Sequence, residues 1–206
     1  MADDRGVEAF DRRAAGYEAG WRGALHHRIA DRTAAIAIAF APGSVRVLDV
    51  GCGTGYLLRR MADRLPDAVE FAGIDPAPRM ITEARTATGG DGRLRFTNGV
   101  AERLPFADST FDLIVSTTSF DHWVDQRAGL AEVARVMSDG GHLVLTDRFS
   151  VFLLPTLLVN RRGRARTVGQ TTDLLRAAGF DSIRWQNLSG VLMLAGLLIR
   201  TVTATI

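Results

Sequence analysis

The chain has 206 residues, 47% of them hydrophobic and 23% charged, enough for one α/β domain with a substantial core spanning 1–206. The formal net charge of +2, carried by arginine with no lysine anywhere, is poor support for nucleic-acid binding. A lone cysteine, Cys52, rules out an internal disulfide, the start of the chain lacks a signal-peptide core, and the apolar stretches Val191–Ile199 and Phe149–Val159 fall short of the roughly 20 residues that span a bilayer, so a cytoplasmic setting without an integral membrane span is expected.

In chain order, residues 1–44 contain two helical stretches, Val7–Tyr17 and Leu25–Phe40, that should cover the ligand end of a sheet. His26 and His27 on the second read as solvent-facing or capping side chains. The core, 45–206, opens with a strand at Val45–Val50 that runs into glycines at 51, 53 and 55 and a helix over Tyr56–Leu65. Strands at Glu70–Ile74, Leu94–Asn98, Phe111–Thr117 and His142–Asp147 alternate with helices at Pro78–Thr86 and Gln126–Met137, the latter closed by Gly140-Gly141. Arg148–Arg166 has no clear period. A helix over Thr171–Ala178 then ends at Gly179, and strands at Ile183–Leu188 and Leu197–Thr203 follow, the last antiparallel through a hairpin. The pattern predicts an α/β fold: a seven-stranded, mostly parallel, doubly wound Rossmann-like sheet with an N-terminal helical cover.

The turn VLDVGCGTGYLL carries the chemistry. Apolar β-branched residues ending at glycines leave a bare backbone that a ligand can touch. A dinucleotide fingerprint needs a third glycine where Tyr56 stands, and a P-loop needs a lysine the chain does not have. Asp75, after the second strand, can accept hydrogen bonds from ribose hydroxyls, as it could in a dinucleotide site too.

Asp49 followed by Gly51, Gly53 and Gly55 resembles the first motif of class I S-adenosylmethionine-dependent methyltransferases. GIDPAPRM is similar to the family segment in which the acid holds the ribose and Pro76 and Met80 offer apolar contacts to adenine. NGVAERLPFADSTFDLIVST resembles the next family segment, through Val100, Ala101, Glu102, Leu104, Pro105, Phe106, Phe111 and Asp112. Val100 departs from it: that position usually supplies an aspartate to the adenine amino group, so recognition must lean on the main chain at Ala101, on Glu102 or on water. LAEVARVMSDGGHLVLTD is similar to the family's fourth helix and fifth strand, and Tyr17 in FDRRAAGY matches a tyrosine near the methionine end of the cofactor. The resemblance implies S-adenosyl-L-methionine as methyl donor, S-adenosyl-L-homocysteine as product, and a cofactor set of Tyr17, Asp49, Gly51, Cys52, Gly53, Asp75, Pro76, Met80, Ala101, Glu102 and Thr117.

Methyl transfer from a sulfonium is an in-line displacement that needs positioning more than it needs a catalytic side chain. If the acceptor is a phenol or alcohol, a base helps, and His122, after the fourth strand, is the candidate. No His/Cys/Asp/Glu spacing suits a metal, and no Gly-x-Ser-x-Gly turn suits a hydrolase. Ser116-Thr117-Thr118-Ser119-Phe120 lacks the Asn-Pro-Pro-Tyr-like signature of amino methyltransferases. Phe120, Trp123 and Phe149–Val159 suggest a partly apolar acceptor pocket. The expected function is methylation of a small apolar or aromatic metabolite at oxygen or carbon. The alternatives are a cyclisation or decarboxylation using the same cofactor site, and a non-catalytic interaction protein whose Arg161, Arg162, Arg164 and Arg166 contact an acidic partner or lipid headgroups. Expected partners are a small-molecule acceptor and, optionally, a second copy of the chain as a homodimer, with no nucleic acid.

Overall fold

The structure, a computed structural model, describes residues 4–40, 45–149, 167–188 and 198–206. Within them a seven-stranded sheet runs in the order β3-β2-β1-β4-β5-β7-β6. Its strands are β1 (Arg46–Val50), β2 (Glu70–Asp75), β3 (Leu94–Asn98), β4 (Phe111–Thr117), β5 (Met137–Phe149), β6 (Asp181–Asn187) and β7 (Leu198–Thr205). The first five pair in parallel, and β7 lies antiparallel to both β5 and β6. The turn that would join β6 to β7 as a hairpin lies outside the described residues, as do the arginines at 161, 162, 164 and 166 and the stretch after Phe149.

Period-two alternation sends neighbouring side chains to opposite faces of the sheet. Leu48, Val50, Ile114 and Leu145 point to the face covered by α5 (Gln126–Val136) and the helix that follows β5, α6 (Val168–Ala177), where they meet Leu130, Val133 and Leu175. Val47, Phe71, Leu113 and Val144 point to the other face. There they meet α2 (Gly20–Ile38) through Ala34 and Ala37, α3 (Tyr56–Ala62) through Leu58 and Met61, and α4 (Pro78–Thr86) through Ile81 and Ala84. Asp49 follows Leu48 in this alternation, so it shares the α2/α3 face. The long helix α2 is also tied to the sheet by a buried hydroxyl chain: Thr33 Oγ1 lies 3.0 Å from Thr146 Oγ1, which lies 2.8 Å from Thr201 Oγ1.

Several boundaries differ from the sequence reading. The first stretch is not one helix: α1 (Asp4–Asp11) stops, and a separate 3-10 turn covers Ala14–Gly16. The apolar spacing of Val7, Phe10, Ala14 and Tyr17 survives the break because all four pack on Ala77 and Met80, which is why the periodicity read as continuous. Helix α2 begins at Gly20, ahead of the expected Leu25, and α3 ends at Ala62, beyond which the Arg64 and Leu65 amides both donate to the Met61 carbonyl, at 3.0 and 2.9 Å. Gly140-Gly141 does not close α5. That helix ends at Val136, Met137 already pairs with Phe111, and the pairing shifts register before Leu113 meets His142. Gly140, at φ 74°, bends the strand at this irregularity instead. The last helix starts earlier than expected, at Val168, because Thr167 and Gln170 form a reciprocal capping box.

Replacing Thr33 with Val should remove the hydroxyl link between α2 and the sheet while keeping its volume. Urea denaturation is expected to show a loss of about 1–2 kcal/mol.

Candidate functional site

The site is assembled at the carboxyl ends of β1, β2 and β4. After Val50 the chain enters left-handed backbone at Gly51, φ 82°, and the amides of Gly51 and Cys52 both donate to the Ile74 carbonyl, at 2.8 and 3.0 Å. A Cβ on Gly51 would lie 2.3 Å from Ser119 Oγ, so only glycine lets the turn sit against the loop after β4. That loop is fastened in its turn: Ser116 Oγ and Ser119 Oγ each donate to the Val50 carbonyl at 2.8 Å. Its Thr118 takes a positive φ of 53°, a conformation that is strained for a β-branched residue and is held by its amide donating to the Thr146 carbonyl at 2.8 Å.

Two carboxyls face this turn. Asp75 accepts from the Gly53 amide on Oδ2 at 3.0 Å and from the Ala77 amide on Oδ1 at 2.9 Å, so each oxygen keeps further acceptor capacity. Burial nonetheless raises its pKa, against the pull of those two amides. Asp49 is only 2% exposed, and its Oδ1 has no hydrogen-bond partner among the described residues. Burial first, and the neighbouring Asp75 charge second, push it up to about 8.

The N-terminal cover closes over these acids. Asp11 Oδ1 accepts from the Arg79 amide at 2.7 Å, near the start of α4. Glu18 Oε1 accepts from Thr54 Oγ1 at 2.6 Å and from Arg59 Nη2 at 2.8 Å, and its Oε2 lies 3.3 Å from His27 Nε2. Burial would raise Glu18, but the hydrogen bonds from Thr54 and Arg59 outweigh it and hold the carboxyl below its ordinary value. His27 stacks on Tyr56 with centroids 3.8 Å apart, and Tyr17 stacks on His26 at 5.2 Å. Burial first, then electrostatic repulsion from His27 and nearby arginines, lowers the His26 pKa.

The result is a two-part cleft. The larger part encloses about 930 Å3, including solvent at its mouth, and is lined by Val7 and Phe10 of the cover, by Asp75–Ala77 and Met80, by 99–102, and by Ser119 and 122–124. A smaller inner pocket of about 490 Å3 is lined by Glu18, His26, His27, Asp49, Cys52 and Thr54, among others. Tyr17, Gly51, Gly53, Thr117 and Thr118 line both, which makes them the junction.

Of the residues expected from sequence, Tyr17, Gly51, Gly53, Asp75, Pro76, Met80, Ala101, Glu102, Thr117 and His122 line the larger part, and Asp49 and Cys52 the inner pocket. Glu102 Oε1 accepts from the Asp125 amide at 3.0 Å, just ahead of α5, and Val100 presents no acceptor side chain. Cys52 is a buried thiol whose pKa burial raises well above its ordinary value, in keeping with packing and not with nucleophilic attack. Two expectations are corrected. His26 and His27 are half-buried lining residues, because Tyr17 stacks on the first and Tyr56 and Glu18 close on the second. Phe120 and Phe149 are 1% exposed and pack in the core, their ring centroids 6.1 Å apart, so of the described aromatic residues proposed near the acceptor Trp123 reaches the cleft; the rest of the stretch to Val159 lies outside the described residues. Phe10, Glu18, Thr54 and Ser119 were missed. Thr54 lies inside the glycine motif and Phe10 four residues before Ala14 and seven before Tyr17, on the same apolar period, whereas Glu18 and Ser119 carry no local signal.

Residues 47–141 match the model of a family described as a methyltransferase domain. The malonyl-(acyl-carrier protein) O-methyltransferase of Geobacter sulfurreducens is 38% identical over 197 residues, covering 89% of this chain and 73% of that protein. The demethylmenaquinone methyltransferase of Deinococcus radiodurans is 39% identical over 133 residues, covering 64% of this chain but only 51% of its own length. The chain thus spans about half the length of that relative. Among solved structures, the 4+2 cyclase SpnF superposes with a TM-score of 0.75 at 22% identity, covering 97% of this chain and 92% of SpnF, which is a likeness of fold. With the glycine turn, the acid after β2 and the strand order already in place, these similarities establish that the chain belongs to the class I S-adenosylmethionine-dependent methyltransferases.

Proposed function

We propose that the protein transfers a methyl group from S-adenosylmethionine to a small apolar or aromatic metabolite, at oxygen or carbon. The observation that carries this reading is the division of the cleft: an inner pocket with the buried acid Asp49, opening at Tyr17, Gly51 and Thr117 into a larger space walled by Phe10, His122, Trp123 and Val124. No described helix is long and apolar enough to cross a membrane.

The residues present fit the donor. Asp49 Oδ1, buried and without a hydrogen-bond partner among the described residues, is the acceptor an α-ammonium group needs, and the neighbouring Asp75 charge further favours a cation there. The remaining lone pairs of Asp75 suit a ribose diol, and Pro76, Met80 and Ala101 form an apolar slot for a purine face. With Val100 lacking an acceptor and Glu102 engaged by the Asp125 amide, recognition of the purine edge falls to main-chain groups or water. When bound, the donor supplies an electrophilic methyl on a sulfonium. The lining residues would hold the acceptor against that methyl, and Val7, Phe10 and Tyr17 of the cover would help to keep water from it.

Calorimetry with S-adenosylhomocysteine and transfer of labelled methyl to candidate acceptors test the reading. Release of S-adenosylhomocysteine with a methylated product is expected; product formed without it would sink methyl transfer. Asp75→Asn should weaken cofactor binding about 10- to 100-fold by removing a charge-assisted acceptor.

Asp49 gives a second prediction through pH. Its folded-state pKa of about 8 lies above the ordinary carboxyl value, so between about pH 4 and 8 the unfolded chain has released a proton that the folded, cofactor-free protein keeps. The group therefore erodes stability progressively across that window. Asp49→Asn should make the cofactor-free protein more resistant to urea at pH 8, by on the order of a few kcal/mol, with no difference near pH 4. The same variant should bind the cofactor more weakly.

A further inference from the structure

The outer surface of α2 carries a side chain that neither the core nor the cleft uses. Trp21, in the first turn, is 73% exposed, whereas the other two tryptophans are packed: Trp123 is 6% exposed, and Trp185 meets the Phe149 ring at 4.9 Å and donates from Nε1 to Thr172 Oγ1 at 3.0 Å. Successive helical residues are rotated by about 100°, so Arg28 and Arg32 stand on the row that Trp21 begins, with Ala24 and Ala35 beside it. All four are exposed. His26, His27 and Ala30, on the other side of the helix, line the inner pocket.

The acids of this segment are engaged within the chain. Between Arg12 and Arg32 lie five arginines, 12, 13, 22, 28 and 32, all exposed, and two acids, Glu18 and Asp31. Thr54 and Arg59 hold Glu18, and Asp31 Oδ1 accepts from Tyr56 Oη at 3.2 Å and from Arg60 Nε at 3.1 Å. What faces solvent is one large aromatic side chain among cations. The face also adjoins the cleft: Arg22 lies over the Trp21 ring at 5.3 Å and acts with Arg13 on His26, and Arg13 lies over Phe10, on the cleft wall, at 4.9 Å.

We propose that this face of the cover docks on the surface of a bilayer containing anionic lipid, with Trp21 seated among the headgroups and Arg13, Arg22, Arg28 and Arg32 against their phosphates. An indole has an apolar body and a polar N–H, which suits the boundary between headgroups and acyl chains, and each arginine adds attraction to a negative leaflet. A protein partner would need a central cluster of large apolar anchors, and the row offers one such side chain among alanines and arginines. A nucleic-acid base would need the ring face of Trp21, and Arg22 already covers one side of it. The docking brings the Phe10 side of the cleft to the bilayer and does not depend on which acceptor is methylated.

Vesicle flotation and tryptophan emission test this without turnover. Phosphatidylcholine vesicles with about 30% phosphatidylglycerol should carry the protein at low salt and release it as NaCl rises from about 20 to about 300 mM, whereas pure phosphatidylcholine should leave it behind. Bound protein should show blue-shifted emission. Trp21→Ala should abolish the shift and weaken binding about 10-fold, and Trp21→Phe should abolish the shift but recover most of the affinity. Arg22→Gln and Arg28→Gln should each weaken binding about five-fold. An unchanged melting temperature in Trp21→Ala and Trp21→Phe separates lost docking from lost fold. The proposal is overturned if the unaltered protein ignores anionic vesicles, if Trp21→Ala binds them as well as the unaltered protein, or if neutralising Arg161, Arg162, Arg164 and Arg166 removes binding while Trp21→Ala does not. Tighter, Trp21-dependent capture of a single-stranded oligonucleotide or of polyglutamate overturns the lipid assignment in favour of nucleic acid or an acidic protein.

Discussion

Two amides converge on one carbonyl, and the rest of the site follows from that. Because Gly51 and Cys52 both donate to Ile74, the chain leaving β1 is folded across the end of β2 and does not run on along its own axis. The Gly53 amide is thereby delivered to the Asp75 carboxyl, Asp49 is sealed behind the turn, and α3 starts where Gly55 takes its own left-handed conformation, φ 76°. A side chain on Gly51 would collide with Ser119, so the same backbone that makes the turn also decides how closely the loop after β4 approaches it. The parallel pairing of β1 with β2 and β4 provides the frame, and the glycine backbone sets the position of the chemistry upon it.

The electrostatics oppose the closed state. Asp49 and Asp75 both carry raised pKa values because they are buried together, and no described cation pairs with either side chain. Isolated buried carboxyls cost stability, and their presence is explained only by something that returns it. A bound ammonium and a ribose diol would do so. Glu18 shows the contrast: it is also partly buried, but Thr54 and Arg59 satisfy it within the chain, and its carboxyl stays below the ordinary value. One acid fastens the cover while the others wait for a ligand.

Much of this was legible in the sequence because it is encoded locally. The strand, glycine turn and helix around 47–58 announce themselves by period and composition, and the acid after β2 by its place in the chain. The structure places the residues named from these segments around one cleft. What was not legible depends on contacts between distant segments. Gly140-Gly141 looks like a helix end, but Met137 is captured early by Phe111 across the sheet, an event no local pattern reports. His26 and His27 look like surface side chains until Glu18 and Tyr56 come to them from elsewhere. Phe120 looks like a pocket wall, and its burial against Phe149 depends on where β5 ends.

The junction formed by Tyr17, Gly51, Gly53, Thr117 and Thr118 separates two kinds of ancestry in the lining. On the inner side, Asp49, Cys52 and Thr54 are inseparable from the backbone that makes the fold, so substitutions there disturb the whole architecture. On the outer side, Val7 and Phe10 belong to a short helix that packs through a small satellite cluster, and Trp123 and Val124 to a short loop between β4 and α5. Val7, Phe10 and Val124 can change size and polarity with little consequence for the sheet, whereas Trp123, 6% exposed, is packed into the main core. A lineage built on this plan can therefore diversify what it modifies while its donor chemistry stays fixed.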